Sequence, residues 1–132
     1  MPARGQVLLT DPVEGLKLKG TFHYDEGFYY FRNLGKRVLL GGARNKFFQD
    51  EETFSADVSD PVQQELERFL SEVILPGTPY RVSMRWSGTM AIGNEKKPIV
   101  QKISERVFCA VRMSGMGVAL APQLGKRIAS MI

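Results

Sequence analysis

The chain has 132 residues, a net charge of +4 at pH 7, 43% hydrophobic and 24% charged residues. That length suits one domain with a core of its own, and no apolar run approaches the roughly 20 residues that a membrane span needs. A single cysteine, Cys109, excludes a disulfide framework. A single histidine, His23, with scattered carboxylates leaves no metal-ligand spacing.

The start, MPARGQVLL, lacks the apolar centre of a signal peptide and reads as the beginning of a strand. Cys109 lies inside the apolar run VFCAV and reads as a buried, inert thiol. Both features fit a reducing cytoplasm. The only tight basic pairs are Lys36-Arg37, Lys96-Lys97 and Lys126-Arg127. They read as solvated turns and helix ends, so no nucleic-acid partner is expected.

In chain order, GQVLLT is a short strand ended by Asp11-Pro12. LKLKGTF alternates at Leu16, Leu18 and Phe22 with Gly20 interrupting, as a half-buried strand with a bulge or turn does. FYYFRNLGKRVLLGG is the clearest hairpin, with Asn33-Leu34-Gly35-Lys36 as its turn and Gly35 supplying positive φ. A polar loop follows, ARNKFFQDEETFSADVSD, in which Phe47, Phe48 and Phe54 argue for parts packing down. Its acidic cluster Asp50-Glu51-Glu52 reads as solvated.

DPVQQELERFLSEVILPG is the best helix. Ser59 or Asp60 caps it, Pro61 sits in the first turn and Pro76-Gly77 ends it. Val62, Leu66, Phe69, Leu70 and Val73 make one apolar face. YRVSMRWSG reads as a strand with Tyr80, Val82, Met84 and Trp86 on one side. Taken alone, Trp86 reads as a core tryptophan beside a tight turn. AIGNEKK is a turn, PIVQKI a short strand and RVFCAV a buried strand. The last segment, VALAPQLGKRIASMI, is helical. Leu120, Leu124 and Ile128 form its large apolar stripe and Ala121, Gly125 and Ala129 a small-residue stripe. Pro122 either lies in the first turn or bends this helix.

His23, before the hairpin, reads as a surface or structural residue, since nothing in sequence supplies a nucleophile or an orienting partner. The Gly115-Met116-Gly117 turn between strand and helix offers more. Its glycines lift the steric bar to a ligand, and a helix start presents unpaired N–H groups and partial positive charge. Gly-Met-Gly alone is a weak motif: the dinucleotide fingerprint is Gly-x-Gly-x-x-Gly near the start of a βαβ unit, and here no strand follows. A plain glycine turn is the other local reading.

GQVLL, FYYFRNLGKRVLLGGAR, the Asp-Pro-started helix, RWSGTMAIGNEKKPIV and VFCAVRMSGMGVALAPQLGKRIA follow one another in an order that resembles the C-terminal half of FAD-dependent oxidoreductases of the D-amino-acid oxidase family. Glycine oxidase, sarcosine oxidase and the flavin glycerol-3-phosphate dehydrogenase belong to that family. The resemblance covers nearly the whole chain. It implies an α+β substrate domain with a largely antiparallel or mixed sheet, one amphipathic helix packed on it and a C-terminal helix. Residues 1–106 would form that domain, and 107–132 a strand, glycine turn and helix belonging to the FAD domain.

The resemblance also implies roles. Gly115, Met116, Gly117 and Val118 would abut the flavin, while Tyr30, Arg32, Trp86 and Met90 would line the substrate side. Strand alternation lets only one of Tyr29 and Tyr30 face the site. Amino-acid-oxidising members carry an arginine soon after Trp-x-Gly that pairs with the substrate carboxylate. Here the aligned residue is Met90, which puts a simple α-amino acid in doubt.

A second departure is the absence of a glycine-rich βαβ segment anywhere in the 132 residues. The chain is therefore expected to be a fragment whose partner is a missing N-terminal FAD-binding domain, inactive and without tightly bound FAD alone. The alternative is a natural short protein that has lost the cofactor domain. The expected substrate is a small molecule oxidised at a C–N or C–O bond. Without its neighbour, the C-terminal helix is expected to expose Leu120, Leu124 and Ile128, and so to self-associate or to repack onto its own sheet. A non-catalytic binding or assembly module of similar fold is the rival reading.

Overall fold

The computed structural model describes residues 1–132. Its strands are β1 (Pro2–Thr10), β2 (Thr21–Tyr24), β3 (Tyr29–Leu34), β4 (Arg37–Gly42), β5 (Val82–Ala91), β6 (Ile99–Ser104) and β7 (Val107–Val111), and its α-helices are α1 (Asp60–Phe69) and α2 (Gly117–Ala129). The fold is α+β. One sheet has the order β2-β3-β4-β1-β5, and β6 pairs with β7 alone. The pairs β2–β3, β3–β4, β4–β1 and β6–β7 are antiparallel. The chain divides into two compact units, Arg4–Thr89 and Met1–Ala3 with Met90–Ile132.

In the Arg4–Thr89 unit the core lies between one sheet face and α1. Leu8, Tyr29, Val38 and Leu40 from the sheet meet Val62, Leu66 and Phe69 from the helix. Each such side chain contributes about 1.5–3 kcal/mol by leaving water. Alternation sorts the hairpin. Tyr29 stacks on Phe69 with centroids 4.4 Å apart, and its hydroxyl donates to Glu65 Oε1 at 2.6 Å. Tyr30 and Arg32 take the opposite face. The hairpin turn is tighter than the sequence implies: Leu34 pairs with Arg37, which leaves a two-residue turn. Gly35 has φ 60 as its first central residue, as a type II′ turn requires. The alternating LKLKGTF segment becomes a strand only from Thr21, and Leu16 and Leu18 pack on the core from irregular chain.

Two departures from the helix expectation have physical causes. After Phe69 the chain widens into a π turn, Leu70–Ile74, closed by Leu75 N–H donating to Leu70 O at 2.8 Å. The widened turn delays the apolar face, so Leu75 is buried and Val73 is 49% exposed. Ser59 is the N-cap residue, but its side chain makes no cap hydrogen bond. Its hydroxyl is held instead by Gln6 and Glu51.

That engagement belongs to a buried polar network, and it overturns the reading of Asp50-Glu51-Glu52 as solvated. Glu51 is 1% exposed. Arg4 embraces its carboxylate through Nε at 3.0 Å and Nη2 at 2.7 Å, and Gln6 Nε2 donates to both carboxylate oxygens. Gln6 Oε1 accepts from the Ser59 N–H at 3.0 Å and from Gln63 Nε2 at 3.1 Å. Arg85 continues outward to Gln63 Oε1 and Glu67 Oε1. The network ties β1, the loop before α1, α1 and β5 together.

In the other unit, α2 packs on β7. Leu124 is buried, and Leu120 and Ile128 are half-buried. Within the unit this stripe lies against its own hairpin. The small-residue stripe of Ala121, Gly125 and Ala129 faces solvent. α2 begins at Gly117, so Pro122 is its sixth residue and not in the first turn. The helix continues through it at the loss of one bond to the Val118 carbonyl. RVFCAV was expected to be buried, but β7 is exposed to half-buried, and Cys109 with it. A two-stranded sheet under one helix has too little cover to bury it.

The network generates two predictions. Glu51→Gln leaves Arg4 buried against a neutral amide and costs about 3–5 kcal/mol in urea denaturation; a change within about 0.5 kcal/mol would contradict the packing described. Glu65, held by Arg68 first and then by Lys46 and Tyr29, has its pKa lowered to about 2. A depressed carboxylate pKa stabilises the fold above the unfolded value and is lost as pH falls through the folded one. Thermal stability therefore falls between about pH 4.5 and pH 2, and Glu65→Gln flattens that part of the profile.

Candidate functional site

The sheet face away from α1 is open. Cross-strand pairing puts His23 beside Tyr30, Thr21 beside Arg32, Tyr30 beside Gly41 and Arg32 beside Leu39. Tyr30 lies flat across Gly41: a Cβ there would come within 2.5 Å of the Tyr30 Cζ and hydroxyl oxygen. The bare glycine thus sets the height of the phenol above the sheet. Burial raises the Tyr30 pKa, with no side-chain hydrogen bond contributing. Tyr29 differs: its pKa is raised by burial and by its bond to Glu65. Arg32 is half-committed, its Nε donating to the Asn33 carbonyl at 3.1 Å.

Trp86 is 38% exposed and is not a core residue. Arg85 reaches α1 and Ser87 donates to the Ala56 carbonyl. Trp86, between these two residues, therefore points away from α1, toward the face that carries Tyr30 and Arg32, whereas Val82 earlier in β5 packs on the core, so the strand does not alternate strictly along its length. The core beneath α1 is built instead on Tyr29, Phe31 and Phe69.

In the second unit the glycine turn is tightly wound. Arg112, Ser114 and Gly115 have φ of 60, 51 and 84. Met116 N–H closes the turn on the Met113 carbonyl at 2.9 Å, and Ala119 and Leu120 N–H groups return to the Met116 carbonyl. The N–H groups of Gly117 and Val118 are the leading donors of α2 and have no backbone acceptor. Val118 is 98% exposed. Met90 belongs to the same unit, and a Cβ on Gly115 would meet its Sδ at 3.2 Å. The structure therefore brings Met90 against Gly115, and sets Tyr30, Arg32 and Trp86 together on the open face of the other unit.

Met113 was not singled out from sequence. Its Sδ lies 3.6 Å from where a Cβ on Gly117 would stand; the signal was the run Met-Ser-Gly-Met-Gly, which alternates thioethers with bare backbone. Arg112 is no stand-in clamp, because its Nε and Nη2 both donate to the Lys97 carbonyl at 3.2 and 3.0 Å. A solvent-open depression of about 470 Å³ is lined by Met1, Ile92, Gly93, Asn94, Glu95 and Arg112. It contains none of the expected site residues. No group of His, Cys, Asp or Glu is placed to hold a metal ion. No helix is long and apolar enough to cross a membrane.

The leading N–H pair of α2 can donate to an anion or an electron-rich carbonyl edge. A family model described as FAD dependent oxidoreductase (DAO) matches residues 1–131. No curated protein matches the chain. Among solved structures, the chain is similar to L-proline dehydrogenase from P. horikoshii, with a TM-score of 0.73 and 19% identity over 94% of this chain and 33% of that one. It is also similar to glycine oxidase from Geobacillus kaustophilus, with a TM-score of 0.76 and 19% identity over 97% of this chain and 34% of that one. At that identity the likeness is one of fold, and the chain spans about a third of either protein's length. The match across residues 1–131 makes this chain a member of the DAO family of FAD-dependent oxidoreductases.

Proposed function

We propose that the chain supplies the substrate-side surface and one flavin-contacting edge of an oxidoreductase that oxidises a C–N or C–O bond of a small amine, amino acid or hydroxy compound. The observation that carries this reading is the glycine turn, with two free N–H groups leading α2 in a chain of this family. Gly115, Met116, Gly117 and Val118 form the cofactor edge. Tyr30, Arg32 and Trp86 are the substrate-side residues of the Arg4–Thr89 unit, and Met90 is the substrate-side residue of the other. Bound FAD supplies the two-electron acceptor.

The chain's own residues do the rest. The partial positive charge at the start of α2 stabilises negative charge developing at the edge it faces. The free Tyr30 hydroxyl and the Arg32 guanidinium orient the polar end of a substrate, and the Trp86 ring offers an apolar surface. Two features support a partner domain that binds the rest of FAD: the chain spans a third of its structural neighbours, and it lacks a Gly-x-Gly-x-x-Gly loop. Alone it turns over nothing and holds no FAD tightly. Its one cysteine suits a reducing cytoplasm.

The test uses the chain together with its FAD-binding domain and loaded with FAD, with anaerobic bleaching of the flavin followed after mixing with amines and alcohols. Arg32→Ala weakens substrate binding by about tenfold or more, the worth of one charge-assisted hydrogen bond, while FAD stays bound. Gly41→Ala lifts Tyr30 off the sheet, so its phenol titrates closer to the ordinary value and KM rises. Unchanged kinetics in both variants would remove the open face from the reaction. Purified 132-residue chain that is yellow with bound FAD would contradict the need for a partner.

A further inference from the structure

Two sulfurs flank the glycine turn. Met90 Sδ stands 3.2 Å from the Cβ position of Gly115, and Met113 Sδ 3.6 Å from that of Gly117. The space where each glycine lacks a side chain is therefore bordered by a thioether. A thioether carries no donor and no charge, accepts hydrogen bonds weakly, and adapts its shape through three rotatable bonds.

The one charged residue of the turn, Arg112, is already engaged. Arg112 spends its guanidinium on the Lys97 carbonyl and lies over Gly93, where a Cβ would meet its Cδ at 2.6 Å. Beside the N–H groups of Gly117 and Val118, which the proposed function gives to the flavin, what remains in the turn is Ser114 Oγ, buried without a hydrogen-bond partner. One hydroxyl can satisfy one hydrogen bond of a neutral amine or alcohol. It cannot satisfy the four lone-pair sites of a carboxylate. A carboxylate set on two thioethers would lose its hydration and find no free cation in the turn, a large penalty.

We infer that Met90 and Met113 form a specificity-determining thioether seat that takes an apolar, uncharged substituent on the substrate carbon being oxidised. The substrate class is then an amine or alcohol whose oxidised carbon carries an apolar, uncharged substituent. This rests on the assignment of the glycine turn to the flavin site.

The test compares acetophenone with benzoate, which share a ring and differ in charge and which carry no oxidisable C–N or C–O bond. Each is titrated into FAD-loaded protein containing [methyl-13C]methionine. Two signals are followed: the Met90 and Met113 methyl resonances, assigned with Met90→Leu and Met113→Leu, and the visible flavin spectrum. Acetophenone is expected to shift both methyls and the flavin spectrum with one Kd, about tenfold or more below that of benzoate. Met90→Arg should reverse the preference by about tenfold or more in favour of benzoate, the worth of a charge-assisted hydrogen bond. If Met90→Arg fails to fold, the wild-type comparison stands by itself. Benzoate binding as tightly as acetophenone while the flavin spectrum responds would overturn the seat and leave the flavin assignment intact. Methyl shifts without a flavin response would remove both, and unmoved methyls with either ligand would overturn the seat.

Discussion

The Arg4–Thr89 unit depends on one buried carboxylate. Glu51 sits in a loop that has no regular structure to hold it, yet burial does not leave it neutral. Desolvation pulls its pKa up, and the hydrogen bonds from Arg4, Gln6 and Ser59 with the Arg4 charge outweigh that and hold it low. An ionised group in that position must be fully surrounded by donors, because a buried charge missing one partner costs several kcal/mol. The donors come from β1 and from the residue before α1, so satisfying Glu51 fixes the strand, the loop and the helix start together. The side-chain hydroxyl of Ser59 is drawn from capping into this network, and Pro61 in the first turn eases the loss, since it has no N–H to satisfy.

A consequence follows for the two sheet faces. The helix side is filled by aromatic and aliphatic packing and by the network. The other side keeps its polar and aromatic residues free, with Tyr30 levelled by Gly41. Binding residues held on strands by such a core are positioned more closely than loop residues would be. The second unit works differently. It has only one hairpin and α2 to pack, and Leu124 is its main buried anchor. Its order rests on local backbone geometry, three left-handed residues within four positions, and on two methionines set against glycines. Isolated two-stranded sheets are marginal in water, which is in keeping with the partner domain proposed above.

Much of the fold was legible from periodicity. The hairpin, both helices and the strand through Trp86 follow from alternation and from the i, i+4 spacing of Val62, Leu66 and Leu70. Tyr30 could be separated from Tyr29 because a strand alternates strictly. Glu51 could not be read as buried, because its partners Arg4 and Gln6 lie more than forty residues away and an acidic triplet in a loop looks solvated. Val73 and Leu75 exchanged roles through a π turn that no local residue announces. Trp86 was legible as a strand residue, while its face depended on Arg85 finding Gln63 and Glu67. The glycine turn was legible as a turn, but the two thioethers against it belong to positions 23 residues apart and meet only in the folded chain.

The central claim is that the N–H groups at the start of α2 lie against the flavin. Met116-Gly117 is the only Met-Gly pair in these 132 residues, so [1-13C]Met with [15N]Gly labelling marks the Gly117 amide within them. In the FAD-loaded protein that resonance should shift on two-electron reduction, when negative charge develops at the edge it faces. An unmoved Gly117 amide in protein whose flavin is fully bleached would contradict the account.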